Sequence, residues 1–114
     1  MNLEQIIEKL QLKLLTDSKN FSEIEVSAGY TSDLLSCVMA GAKHNAVWVT
    51  LQSHVNIIAV AALLELAAII ITESAIPSPE TIQKANEQSI TLLSTPRSTF
   101  EVDGMLWEAG LRAS

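Results

Sequence analysis

The chain has one cysteine, Cys37, so no disulfide can form within it, and it is compatible with a reducing compartment. Aromatic residues make up only 4% of a chain that is 48% hydrophobic. The apolar content is therefore mostly Ala, Ile, Leu and Val, a mix that suits a sheet covered by helices. Basic residues are few and scattered: seven Lys and Arg stand against thirteen Asp and Glu, for a net charge of −6. No basic patch is available to neutralise phosphates, so nucleic acid is not expected as a partner. The acidic balance also works against binding to anionic membranes. Of the four glycines, Gly29, Gly41, Gly104 and Gly110, none is followed by Lys-Ser or Lys-Thr. The phosphate-cradling loop G-x-x-x-x-G-K-[ST] is absent, as is G-x-G-x-x-G, which excludes a P-loop kinase. One cysteine and two histidines, His44 and His54, are too few for a structural zinc site, and no metal or other cofactor is expected. Met1 to Gln5 lacks a basic segment leading into an apolar run, so no signal peptide is expected and the protein is read as cytoplasmic.

With 114 residues the chain fits one domain, residues 1–114, able to bury a core without staples. Residues 2–10 predict an amphipathic helix, with Asn2 as cap, Gln5 three positions on, and Leu3, Ile6, Ile7 and Leu10 at helical spacing. Leu12 to Thr16 predicts a short strand, and Asp17 to Asn20 a turn. Glu23 to Tyr30 alternates, with Ile24, Val26 and Ala28 on one side, which predicts a half-buried strand closed by Gly29. Thr31, Ser32 and Asp33 are competent caps for a short helix whose apolar face is Leu34, Leu35, Val38 and Met39, with Gly41 as its stop. Within that helix Cys37 is expected to be a small buried filler.

Val55 to Ile71 resembles a membrane span at first sight. Glu65 interrupts it, and it falls short of the ~20 residues a spanning helix needs. It reads instead as a buried helix, 55–66, followed by a buried strand, 67–72. With the strand 46–51 before it, this makes a βαβ crossover, which is right-handed in nearly all proteins. A helix with hardly any polar face must be covered all round, by the sheet on one side and by a neighbouring helix or a second copy of the chain on the other. Pro77 to Glu80 then opens a helix, with Ser78 as cap and Pro79 in the first position. Ile90 to Ser94 predicts the last strand. Ser98 to Glu101 is a capping box for a final helix, with Phe100, Leu106 and Trp107 as its buried contacts and Gly110 as its end. The fold class is α/β: one mixed, mostly parallel sheet with helices on both faces.

In open α/β sheets ligands bind beyond the carboxyl ends of the strands, where helix N-termini favour anions. Three strand-to-helix corners of this kind carry polar residues: Tyr30, Thr31, Ser32 and Asp33 at the first, Gln52, Ser53, His54 and Asn56 at the second, and Ser94, Thr95 and Ser98 at the third. The candidate ligand-binding residues are Tyr30, Ser32, Asp33, Gln52, His54, Asn56 and Thr95. Ordinary capping and turn chemistry is the competing account of each corner, and for His54 and Gln52 a local or interface hydrogen bond is the alternative to a binding role. Arg97 stands near the third corner as a potential anion contact. No nucleophile stands in a pattern with a base and an orienting group, so no catalytic residue is assigned.

Three blocks carry a family resemblance: GY-x-SDLLS-x-VM at Gly29–Met39, VWVTLQSHVN at Val47–Asn56, and LLST-x-x-STFE at Leu92–Glu101. Together they make the chain resemble the stand-alone DRTGG domain proteins over nearly its whole length. The motif that names the family departs here. A pattern D-R-x-V-T-G-G-Y would fall on Glu23 to Tyr30, where Glu23, Ile24, Ser27 and Ala28 replace its Asp, Arg, Thr and first Gly, while Gly29 and Tyr30 remain. The resemblance implies the mixed α/β fold of the N-terminal domain of HPr kinase/phosphorylase. It also implies a regulatory or dimer-forming role, as in domains that sit beside CBS domains in some pyrophosphatases and in some phosphotransacetylases. The function expected is thus a non-catalytic regulatory module that self-associates and binds a nucleotide or other small anionic metabolite. The alternatives are a purely structural homodimer or protein-interaction module, and a small enzyme using His54 as general base.

Overall fold

The computed structural model describes residues 1–113. The elements are α1 (Leu3–Leu10), β1 (Lys13–Leu14), a short 3-10 turn (Phe21–Glu23), β2 (Gly29–Thr31), α2 (Leu35–Gly41), β3 (Val47–Thr50), α3 (Asn56–Leu64), β4 (Ala68–Ile71), α4 (Pro79–Glu87), β5 (Leu92–Ser94) and α5 (Thr99–Glu108). The five strands form one sheet in the order β1-β5-β4-β3-β2. Strands β2 to β5 run parallel, with Thr31 beside Val49, Thr50 beside Ile71 and Ile71 beside Ser94. Strand β1 is antiparallel to β5 at the far edge. The expected class, a mostly parallel sheet with helices on both faces, is what forms.

Every residue of β3 and β4 is buried. Because side chains alternate along a strand, each strand feeds two cores. Trp48, Ile69, Ile71 and Leu92 join Val38, Ile57, Ile58 and Ala85 from α2, α3 and α4 on one face. Val47, Val49, Ala68, Ile70 and Leu93 meet Leu3, Ile6, Val102 and Leu106 from α1 and α5 on the other. The unbroken apolar runs of β3 and β4 are the signature of strands covered on both sides. No helix among the described residues is long and apolar enough to cross a membrane.

Local chemistry fixes the helix ends. Asn2 and Gln5 form the reciprocal capping box of α1. Ser78 Oγ accepts from Thr81 N with Pro79 in the first turn of α4. Ser98 Oγ accepts from Glu101 N, whereas the Glu101 carboxylate takes Arg97 at 3.0 Å in place of the return bond of a full box.

Four expectations need correction. The predicted strand over 23–30 pairs in the sheet at Gly29 and Tyr30, with a single isolated bridge from Glu25 to Asn2, so Gly29 opens β2 instead of closing it. Val26 and Ala28 are buried in alternation as expected, but the backbone of this stretch bonds to other partners. Val26 N donates to Met1 O, Leu3 N to Ile24 O and Ser27 N to Asn45 O, each within 3.0 Å. On α2 only Val38 is buried, Leu34 is 60% exposed, and Cys37 is exposed, so it fills no core. Helix α3 is covered by the sheet, α2 and α4, yet its outer line stays open, with Leu63 68% exposed. On α5 the buried contacts are Val102 and Leu106. Phe100 is 90% and Trp107 57% exposed, because both lie on the side of the helix turned away from the sheet.

Gly41 ends α2 at a point of close approach. The Tyr30 ring lies across it, and a Cβ at position 41 would sit 2.6 Å from Tyr30 Cε1 and Oη. The phenol hydroxyl, donating to Cys37 O at 3.0 Å, holds the ring there. Alanine is the better helix former, yet Gly41→Ala is expected to destabilise the protein by about 1–3 kcal/mol, the usual cost of overpacking. Urea unfolding measures it, and an unchanged or raised midpoint would show that the ring gives way freely.

Candidate functional site

Parallel strands bring their carboxyl ends to one edge of the sheet, and a threonine ends or directly follows each of them: Thr31, Thr50, Thr72 and Thr95. Each hydroxyl has a partner. Thr31 Oγ1 donates to Asp103 at 2.6 Å, and Thr50 Oγ1 to Asp33 at 2.7 Å. Thr72 and Thr99 hydroxyls meet at 2.6 Å, and Thr95 Oγ1 accepts from Arg97 N at 3.2 Å. The first corner is closed by these bonds. Asp33 Oδ1 also accepts from Leu51 N at 2.9 Å, and Gln52 Nε2 returns to Asp33 O at 3.0 Å. Trp48 Nε1 donates to Ser32 O at 2.8 Å, and Leu34 N donates to Ser32 Oγ at 3.1 Å. Neither Ser32 nor Asp33 caps α2, whose N-cap position is Leu34 with no side-chain bond.

Of the candidate residues, Ser32, Asp33 and Gln52 thus gather into one hydrogen-bonded clasp joining the β2–α2 and β3–α3 corners. Tyr30 stands apart, with its ring on α2. Thr95 is buried in the β5–α5 corner and occupied by its local turn. His54 and Asn56 lie at the start of α3, where His54 Nδ1 accepts from Asn56 N at 3.2 Å. That bond assigns the proton of the neutral ring to Nε2, leaving an N–H donor on the exposed side of an exposed ring.

His54 opens onto a cleft of about 360 Å³ between the N-termini of α3 and α4. Ser53, Val55, Ile76, Ser78, Glu80 and Thr81 complete its wall. The α4 side of this cleft was absent from the sequence reading. Its signal was present in Ser78-Pro79-Glu80, which marks a helix start on the same strand-end edge. The loop leading there, after β4, carries Glu73 and Ser74 in succession at φ 61 and 59, a left-handed conformation unusual for non-glycine residues. It is anchored by Glu73 Oε2, which accepts from Thr99 N at 2.8 Å.

Chemically, the edge offers hydroxyls, an imidazole N–H and a carboxylate beside apolar side chains. Among the described residues no hydrogen bond joins His54 to a serine or threonine hydroxyl, so no nucleophile and base are paired. No group of three or more His, Cys, Asp or Glu side chains gathers among the described residues to hold a metal. Away from the cleft, ahead of β5, burial pushes the Lys19 ammonium below the ordinary lysine range while Nζ donates to Ser89 O.

The family model of the DRTGG domain matches residues 5–109. No curated protein matches the chain. Among solved structures, the chain is similar to the CBS and DRTGG domains of the regulatory region of Clostridium perfringens pyrophosphatase, complexed with its activator, diadenosine tetraphosphate. The TM-score is 0.74 at 17% identity, and the match covers 91% of this chain and 45% of that one. The chain therefore spans less than half of that structure, and at this identity the likeness is one of fold. A family match over residues 5–109, set on a fold with the same layers, shows that the chain belongs to the DRTGG domain family.

Proposed function

We propose that this chain is a non-catalytic regulatory module, folded as one domain, that binds a nucleotide or other small anionic metabolite and associates with itself. The observation that carries the reading is the open cleft at the carboxyl ends of β3 and β4, where two helix N-termini converge on Ser53, His54, Ser78 and Thr81. Helix N-termini present unpaired N–H groups and positive potential to a ligand. Of the sequence-predicted residues, His54 in the cleft wall is the one proposed to meet it, with Gln52 and Asn56 flanking it in the chain. Ser32, Asp33, Tyr30 and Thr95 shape the edge from behind through the bonds already described.

Family membership supports the regulatory assignment, and so does the fold likeness to a pyrophosphatase regulatory region solved with a nucleotide activator. The non-catalytic assignment draws support from the clasp. The Asp33 carboxylate at the neighbouring corner is spent on Thr50 and Leu51 N. A single exposed cysteine suits a reducing environment, and we place the protein in the cytoplasm. One observation favours a purely structural module: the closed bonding at the strand ends leaves few unpaired polar groups outside the cleft.

A thermal-shift screen with mono-, di- and dinucleoside polyphosphates and sugar phosphates separates the two readings. A true ligand present at about 100 times its Kd adds about 2.7 kcal/mol of stability. No shift with any of these would leave the structural reading. For a ligand found this way, His54→Ala is expected to weaken affinity about tenfold while leaving the unfolding midpoint nearly unchanged, as expected for an exposed side chain. Asp33→Ala should do the opposite. It leaves the fully buried Thr50 hydroxyl and Leu51 N without their acceptor and should lower stability by about 1–3 kcal/mol, with affinity at the cleft retained. Reversed outcomes for the two variants would move the site from the cleft to the clasp.

A further inference from the structure

Helix α5 carries an aromatic stripe that belongs to neither core. Phe100, Gly104 and Trp107 follow one another at helical spacing along its outward line. Phe100 is almost fully exposed and Trp107 more than half. They are two of only five aromatic side chains in the sequence. Gly104 lies between them in mid-helix without a positive φ, and a Cβ built on it would meet nothing within 4 Å. No contact among the described residues requires glycine there, although glycine is the poorest helix former after proline. The result is a notch one helical turn from each of two aromatic knobs, a shape that admits the close approach of another helix.

We propose that this stripe is the self-association surface, with α5 of a second copy crossing antiparallel at Gly104. The inference rests on the self-association in the functional reading above and names where it occurs. The pattern is self-complementary, as a two-fold interface requires. About an axis near Gly104, Phe100 of each copy comes to lie against Trp107 of the other. Charge follows the same symmetry. The last turn of α5 ends in the exposed carboxylate of Glu108, while its carbonyl at Trp107 is taken by Arg112 at 2.8 Å. Arg97, just before the helix, lies on the same side as Glu101, with which it pairs at 3.0 Å. The antiparallel crossing sets each Arg97 between its own Glu101 and Glu108 of the second copy. Arg112 stacks 4.2 Å over the Trp107 ring. Two exposed aromatics bury about 150–250 Å² each when fully covered. That forms the centre of an interface of ordinary size, about 800 Å² per partner.

Sedimentation velocity across a concentration series, read together with tryptophan emission, tests the proposal on the full chain. Trp48 is fully buried with its Nε1 bonded, so a change in emission reports Trp107. The expected result is a monomer–dimer equilibrium whose dimer arm coincides with a blue shift. Phe100→Ala and Gly104→Arg should each weaken it at least about tenfold with circular dichroism unchanged. Arg97→Glu should weaken it, and Arg97→Glu combined with Glu108→Arg should restore it. A chain that stays monomeric at all concentrations overturns both this surface and self-association. A dimer that forms without the blue shift and survives Gly104→Arg overturns this surface alone. Whether a ligand binds at the cleft is read separately, by thermal shift, so failure of this surface and failure of the ligand reading are distinguishable.

Discussion

The architecture depends on the complete burial of two adjacent parallel strands. Strands β3 and β4 have no residue facing solvent, so both faces of the sheet must be roofed. Parallel neighbours cannot be joined by a tight turn, so every link among β2, β3, β4 and β5 is a crossover through a helix. Crossovers of one hand between strands added in one direction place α2, α3 and α4 on the same face. The opposite face is left to the ends of the described chain, α1 and α5. The terminal helices therefore form half of the core, and Leu3, Ile6, Val102 and Leu106 do for Val49 and Ile70 what α3 does for Trp48 and Ile71.

The same constraint makes the functional edge. Four parallel strands that begin at one end finish at the other, and their last residues are where the apolar core gives way to helix N-termini. Threonine suits that boundary. Its β-branched carbons satisfy a strand, and its hydroxyl takes up a polar group just beyond it. At Thr50 the partner is a carboxylate that also holds the next backbone N–H, so one side chain, Asp33, joins two corners. At Thr72 the partner is another threonine, at the first turn of α5.

How much of this could be read from the residues divides along physical lines. The βαβ centre was legible, because runs such as Ala68–Ile71 are apolar enough to exclude every other placement. Helix starts were legible at Asn2, Ser78 and Ser98, because capping is local chemistry. The stretch 23–28 failed for the opposite reason. Its alternation is true of burial, but its hydrogen bonds go to Met1, Leu3 and Asn45, partners that no local pattern reveals. Cys37, Leu34, Phe100 and Trp107 failed because hydrophobicity was taken to mean burial, a rule that holds in one direction only. At the candidate site, the polar corners were placed correctly on the strand-end edge. The pairing of Asp33 with Thr50 and the α4 wall of the cleft were not seen, since both join segments far apart in sequence.

The cleft and the α5 stripe lie in different parts of the molecule, and the loop after β4 links them. Ile76 and Ser78 of that loop line the cleft. At its start, Glu73 accepts from Thr99 N and donates its own N–H to Arg97 O at 2.8 Å, while Thr72 meets the Thr99 hydroxyl. The backbone between is held in the left-handed region at Glu73 and Ser74, so the loop has little freedom to adjust without moving one of its two anchors. Arg97 and the first turn of α5 are therefore bonded to the start of the loop whose later residues line the cleft. A ligand that drew in Ile76 and Ser78 would pull on the loop whose first residues hold Arg97 and Thr99. By thermodynamic reciprocity, any factor by which it tightened self-association would be the factor by which self-association tightened the ligand.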